Sequence, residues 1–231
     1  MPEKVVGILG GMGPEATVDL FQKIVAATPA RTDQKHLHII IDCNAKIPSR
    51  QAALEGGEDP TPALQATARN LQKAGADFIV IPCNSAHNYY DRIVQAVWIP
   101  VLHIADEAVA EAVRRYPDLK VVGVLGATAS IKMRLYQERF EARGIKALTV
   151  SEEDQEIVQG AIDRVKAGDK GPEVQSRVRE MAEKLAARGA QLLLTACTEL
   201  PLVLHDGDAS VPVLDPTQML AEAAVRFARG E

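Results

Sequence analysis

The sequence predicts an α/β protein built as two pseudo-symmetric parallel-sheet domains with helices on both faces. Short apolar strands alternate with amphipathic stretches along all 231 residues. Those strands are apolar or β-branched on both faces, as strands are when helices cover a parallel sheet from both sides. The second half of the chain also repeats the first. Val5-Val6-Gly7-Ile8-Leu9-Gly10 recurs as Val121-Val122-Gly123-Val124-Leu125-Gly126. Leu71 to Cys83 recurs as Leu185 to Cys197, and Ile99-Pro100-Val101-Leu102 as Val211-Pro212-Val213-Leu214. The offsets are 116, 114 and 112 residues, in one order, which points to two similar halves.

In chain order, Val5–Leu9, Leu37–Asp42, Phe78–Cys83 and Val101–Ile104 read as strands of the first half. Val121–Leu125, Ala147–Val150, Leu192–Ala196 and Val211–Leu214 read as strands of the second. Helical periodicity marks Pro14–Ala27, Pro62–Ala74, Ala105–Tyr116, Ile131–Ala142 and Gly171–Arg188. Pro14 suits a first helical turn, where a missing N–H costs little. Gly75 and Gly189 follow runs ending in basic residues, a helix stop signal. The first domain is expected over residues 1–104, with 211–231 returning to it, and the second over 105–210.

Composition narrows the function. With 25% charged and 47% hydrophobic residues, 16 Gly and 13 Pro, the chain has the make-up of a soluble enzyme. A net charge of −5 with scattered basic residues provides no positive stripe for nucleic acid. No apolar run approaches a membrane span, and no signal peptide precedes the first strand, so a cytoplasmic protein is expected. Three cysteines, Cys43, Cys83 and Cys197, are too few for a disulfide scaffold. The thiols lack metal-ligand spacing and the five histidines are scattered, so no metal is expected.

The repeat relates Cys83 to Cys197. Each closes a buried strand, at the end where open α/β sheets bind ligands. Each precedes small polar residues, Asn84-Ser85 and Thr198-Glu199, whose hydroxyls and N–H groups can hold an anion. A lone free cysteine is commonly an inert core residue, but a repeat-related pair beside polar residues points to chemistry. If the halves face each other, the two thiols line one cleft from opposite sides. Inverting a stereocentre needs a base on one face and an acid on the other, and the roles swap on reversal, so both groups should be of one type. Asn84, Ser85, Thr198 and nearby N–H groups can take up charge developing on an α-carboxylate. No lysine is marked as a pyridoxal site.

Together, Gly7-Ile8-Leu9-Gly10-Gly11-Met12-Gly13-Pro14, Ile47-Pro48-Ser49-Arg50, Pro82-Cys83-Asn84-Ser85-Ala86-His87, Val165-Lys166-Ala167-Gly168 and Thr195-Ala196-Cys197-Thr198-Glu199 make a specific signature. By these segments the chain resembles the aspartate/glutamate racemase family, most nearly its aspartate-racemising members. The resemblance spans nearly the whole chain. It implies an active site in the cleft between two domains, catalysis by Cys83 and Cys197, no cofactor, an amino-acid substrate and a homodimer. The family's usual Gly-Cys-Thr-Glu is Ala196-Cys197-Thr198-Glu199 here, and its Asn-Thr is Asn84-Ser85. Both departures keep the thiol and the hydroxyl.

By the same resemblance Arg50 and Lys166 are the substrate-binding cations, and Met12 shapes the pocket floor. Arg offers a bidentate fork to a carboxylate, and Gln51 and Ala52 follow it as candidate N–H donors. Thr128 stands after the second glycine-containing loop as a further binding candidate. His87, Asp42 and Glu199 are read as orienting or capping groups. Glutamate or broader specificity, and a related two-cysteine isomerase or decarboxylase, are the neighbouring readings. The rival from another class is a nucleotide- or small-molecule-binding protein. It rests on the G-x-G-x-x-A match at Gly11–Ala16 with Asp42 ending the next strand, and it leaves the paired cysteines without a role.

Overall fold

The computed structural model describes residues 3–231; Met1 and Pro2, placed by the sequence ahead of the first strand, lie outside the described residues. The chain forms two compact units, one of residues up to Glu107 together with Thr217–Glu231, the other Ala108–Pro216.

In the first unit, β1 (Val6–Gly10) lies between β2 (Ile39–Cys43) and β3 (Phe78–Val80), all parallel. Val6 and Ile8 face one side, packed with Leu20 and Ile24 of α1 (Pro14–Ala27) and Leu220 and Ala224 of α10 (Pro216–Arg229). Leu9 and Ile79 face the other, against Leu64, Ala68 and Leu71 of α3 (Thr61–Lys73). The sheet is therefore covered on both faces, which accounts for its doubly apolar strands. Two short helices complete the unit's loops, α2 (Arg50–Leu54) and α4 (Tyr90–Val94).

The expected strand at Val101–Ile104 shrinks to one parallel bridge, Ile79 to Val101. His103 ends it. Its Nδ1 accepts the Ala105 N–H at 3.2 Å, capping α5 (Ile104–Arg115) and turning the chain into helix. Likewise β3 stops at Val80 rather than Cys83, because Pro82 has no N–H to give the ladder.

The second unit repeats this plan. β4 (Val121–Gly126) lies between β5 (Lys146–Leu148) and β6 (Leu192–Ala196), with β7 (Val213–Leu214) beyond β6. The order β5-β4-β6-β7 matches β2-β1-β3 followed by the Val101 bridge. Val158, Ile162 and Val165 of α8 (Glu152–Lys166) and Val178, Met181 and Leu185 of α9 (Pro172–Ala187) bury one face of this sheet. Because β7 pairs with β6, the segment that joins the first unit starts at Thr217, not at residue 211.

The duplicated Gly7 and Gly123 are explained by close packing. A Cβ on Gly7 would stand 2.9 Å from the Ala76 Cβ and 3.1 Å from the Phe78 carbonyl oxygen. On Gly123 it would stand 2.7 Å from Leu193 Cδ2, 3.1 Å from Leu185 Cβ and 3.2 Å from Ala190 Cβ. Bare backbone on the central strand lets the end of α3, or of α9, settle directly onto the sheet.

The helix expected over Ile131–Ala142 is two helices, α6 (Thr128–Lys132) and α7 (Gln137–Glu141). Arg134, at φ 53°, breaks the run between them. The Gln137 side chain donates to the Ile131 carbonyl at 3.0 Å and holds the corner closed. No helix among the described residues is long and apolar enough to cross a membrane.

Candidate active site

The loops after β1, β2 and β3 bring most of the first unit's candidate residues to one end of its sheet. Gly11, at φ 95°, approaches the Asn44 backbone so closely that a Cβ would lie 2.3 Å from the Asn44 carbonyl carbon. Its N–H donates to Thr17 Oγ1 at 2.9 Å, fixing the glycine-rich loop to α1. Met12 and Cys83 are both buried, and they share one cluster with Leu9, Ile47 and Ala86.

Arg50 ties two of these loops together. Its Nη1 donates to the Pro48 carbonyl at 2.8 Å and the Ile47 carbonyl at 3.4 Å, and its Nη2 to the Met12 carbonyl at 3.4 Å. No carboxylate pairs with it among the described residues, and its buried Nε has no hydrogen-bond partner there. The guanidinium is thus oriented by carbonyl dipoles while its charge remains available to an anion. The Ala52 N–H lies in the first turn of α2. That group donates to Ser49 Oγ at 3.2 Å as the cap of α2. The Gln51 side chain reaches out to Glu55 at 2.9 Å.

Cys83 lies three residues past β3, 4% exposed, with its Sγ 3.6 Å from Ser85 Oγ. Asn84 beside it is buried. Behind the thiol, His87 binds two backbone groups. Its Nε2 accepts the Ile104 N–H at 3.2 Å, so the ring proton sits on Nδ1, which donates to the Cys83 carbonyl at 2.9 Å. The orienting role expected of His87 therefore has a definite form, linking the cysteine's peptide to the first turn of α5.

In the second unit Cys197 follows β6 directly and is 5% exposed. Its thiol donates to Glu199 Oε2 at 3.0 Å, and the same oxygen accepts the Thr198 hydroxyl at 3.3 Å. Burial pushes the Cys197 thiol well above its ordinary range, and the Glu199 charge adds to the effect. The Lys166 charge, at the end of α8, opposes them without winning.

Thr128 opens α6 at the end of β4. Its N–H donates to Gln159 Oε1 at 2.9 Å, and its hydroxyl accepts from Gln155 Nε2 at 3.3 Å. Gln155 Nε2 also reaches the Gly126 carbonyl at 2.9 Å. These two glutamines of α8 hold the loop and were not anticipated. They stand four and eight residues after Ser151, a capping residue, and that spacing was the available signal. No group of three or more His, Cys, Asp or Glu side chains suited to a metal occurs among the described residues.

Two copies of one α/β plan, each with a buried thiol just past the carboxyl end of the equivalent strand, define a duplicated cysteine scaffold. The comparison with known proteins gives that scaffold a family. Residues 9–224 match the Asp/Glu/hydantoin racemase model, and the chain belongs to that family. It is an amino-acid racemase, an isomerase. It is 30% identical over 228 residues to the broad specificity amino-acid racemase RacX of Bacillus subtilis, covering 96% of both chains. The structure of Picrophilus torridus aspartate racemase superposes with a TM-score of 0.88 at 29% identity, covering 98% of this chain and 94% of that one. An aspartate racemase homologue from Pyrococcus horikoshii gives 0.79 at 25% identity, covering 98% and 99%. The family membership displaces the nucleotide-binding reading of Gly11–Ala16, whose glycine N–H is in any case spent on Thr17.

Proposed function

We propose that the protein interconverts L- and D-aspartate without a cofactor, with Cys83 and Cys197 acting on opposite faces of Cα. The observation that carries this reading is the repeat-related placement of the two thiols, each beside a hydroxyl residue, Ser85 or Thr198. One thiolate removes the α-proton while the other thiol delivers a proton to the opposite face. The exchange of roles on reversal calls for two like groups. Arg50 takes the side-chain carboxylate, since it is a cation oriented by carbonyls beside Met12 and has no carboxylate partner among the described residues. Asn84, Ser85 and Thr198 donate to the α-carboxylate as charge develops there. Met12 bounds the pocket, and Gln51, Thr128 and Lys166 complete the binding set.

Aspartate is favoured by the family resemblance and the Picrophilus structure. Broad specificity is the second reading, favoured by the Bacillus relative. We place the enzyme in the cytoplasm as a homodimer. The spacing of exposed Val18, Phe21 and Val25 along α1 supports an apolar face for a second copy.

Proton NMR in deuterium oxide tests the reaction, following loss of the Cα signal from L- and D-aspartate under reducing conditions. Exchange with matching loss of optical rotation is expected, and a panel of other amino acids sets the specificity. Cys83→Ala and Cys197→Ala should each abolish racemisation with the fold intact. Full activity in either variant would sink the two-thiol mechanism. Sedimentation velocity tests the dimer.

A further inference from the structure

The two thiols have unlike surroundings. The Cys83 sulfur has a hydroxyl beside it, Ser85 Oγ at 3.6 Å. Cys197 instead meets a carboxylate, Glu199 Oε2 at 3.0 Å, and that carboxylate is itself buried at 3% exposure. A carboxylate is an acceptor only, so this contact exists when the proton is on sulfur. The backbone N–H of Glu199 also points at the same sulfur, where it would favour the thiolate. One residue thus offers both kinds of partner, and the carboxylate outweighs the N–H because it adds a negative charge in a buried place. The charged groups acting on the Cys197 sulfur among the described residues are Glu199, from its own loop, and Lys166, from the end of α8.

We propose that Glu199 holds the proton on Cys197 between turnovers, making Cys197 the proton donor and Cys83 the base of the resting enzyme. The proposal rests on the two-thiol reading above. In the first turnover the Cys83 thiolate takes the Cα proton, and the C–H electron pair stays on the substrate as a carbanion delocalised into its carboxylate. The Cys197 S–H bond then breaks, and its proton forms the new C–H bond on the opposite face. That leaves Cys83 protonated and Cys197 as a thiolate against the Glu199 carboxylate, two anions in contact. Cys197 recovers a proton from solvent and Cys83 returns one, restoring the resting form. The resting enzyme accordingly takes first the enantiomer whose Cα–H faces Cys83.

The test is the pH dependence of iodoacetamide alkylation, read at each cysteine by peptide mass spectrometry in wild type, Glu199→Gln and Lys166→Met. Exposed Cys43 serves as the internal reference. In wild type, Cys197 should alkylate with a midpoint above that of Cys43. Glu199→Gln should lower the Cys197 midpoint by a pH unit or more and speed its reaction at pH 7.5 tenfold or more. Lys166→Met should raise the midpoint. Cys43 and Cys83 rates should stay within twofold throughout; a common rise at all three sites would mark a loosened fold, and the opposite shift expected of Lys166→Met then decides. An unmoved Cys197 midpoint in Glu199→Gln, or a wild-type midpoint at or below that of Cys43, overturns the proposal. Alkylation needs no turnover, so failure of the racemase reading shows separately, as absent Cα exchange.

Discussion

Gly7→Ala and Gly123→Ala place the same methyl group at repeat-related positions, and the structure makes the costs unequal. At Gly7 the new Cβ meets the Ala76 Cβ at 2.9 Å and the Phe78 carbonyl oxygen at 3.1 Å, atoms that move only with their backbone. At Gly123 the shortest contact, 2.7 Å, is to Leu193 Cδ2, the free end of a side chain that can change rotamer, while the contacts fixed to backbone, Leu185 Cβ and Ala190 Cβ, lie farther off at 3.1 Å and 3.2 Å. Overpacking a well-filled interior costs about 1–3 kcal/mol. Replacing Gly by Ala returns roughly 0.4–1 kcal/mol through the unfolded chain where φ is compatible. The balance is a loss of about 2 kcal/mol for Gly7→Ala and about 1 kcal/mol or less for Gly123→Ala. Urea unfolding followed by circular dichroism measures the totals, and hydrogen exchange of the β1 and β4 amides assigns each to its own unit. Adding Ala76→Gly to Gly7→Ala should restore about 1 kcal/mol, a coupling expected of touching residues. Equal costs, a larger loss at Gly123, or no recovery in the double variant would refute the packing account of the repeat.

Two further outcomes are expected. Arg50→Lys replaces a fork held by three carbonyls with a point charge, and should lower kcat/KM for racemisation tenfold to about a hundredfold, the worth of charge-assisted hydrogen bonds. Cys83 alkylation should be unaffected. Glu111, whose side chain is 7% exposed, receives Arg114 Nε at 2.8 Å and Arg115 Nε at 2.5 Å, and these hydrogen bonds hold its carboxyl at about 2 against an ordinary 4.5. A carboxyl lowered on folding stabilises above its unfolded value and loses that contribution as pH falls from about 4.5 towards 2. Glu111→Gln should therefore destabilise the protein at pH 7 and flatten the acid limb of its stability profile, as urea midpoints from pH 7 to pH 2 will show.

The framework was legible because backbone packing writes itself into composition. Leu192–Ala196 and Pro14–Ala27 fall where the sequence places them, since apolar runs and a proline at a first helical turn have few other uses. Arg134 was opaque: nothing about an arginine announces a left-handed φ, so two short helices read as one. Helix α8 escaped notice although Ser151 caps it, the side chain accepting the Asp154 N–H at 3.1 Å. With it went Gln155 and Gln159, because a side chain's target is a property of the fold. The paired cysteines were visible through repetition. Their inequality was not, since whether Glu199 turns toward Cys197 or toward solvent depends on the path of the loop after β6.

The return of α10 to the first sheet has a consequence for synthesis. Leu220, Ala221, Ala224 and Ala228 pack among Val6, Ile8, Leu20 and Phe78, so the first core contains contacts spanning some two hundred residues. The second unit is a single uninterrupted stretch, Ala108–Pro216. As the ribosome delivers the chain, that later stretch is the first to own all its parts, while the opening strands wait with an uncovered apolar face. The unit begun first is completed last, and its exposed interval is the one in which a nascent chain is most open to chaperones and to mispairing.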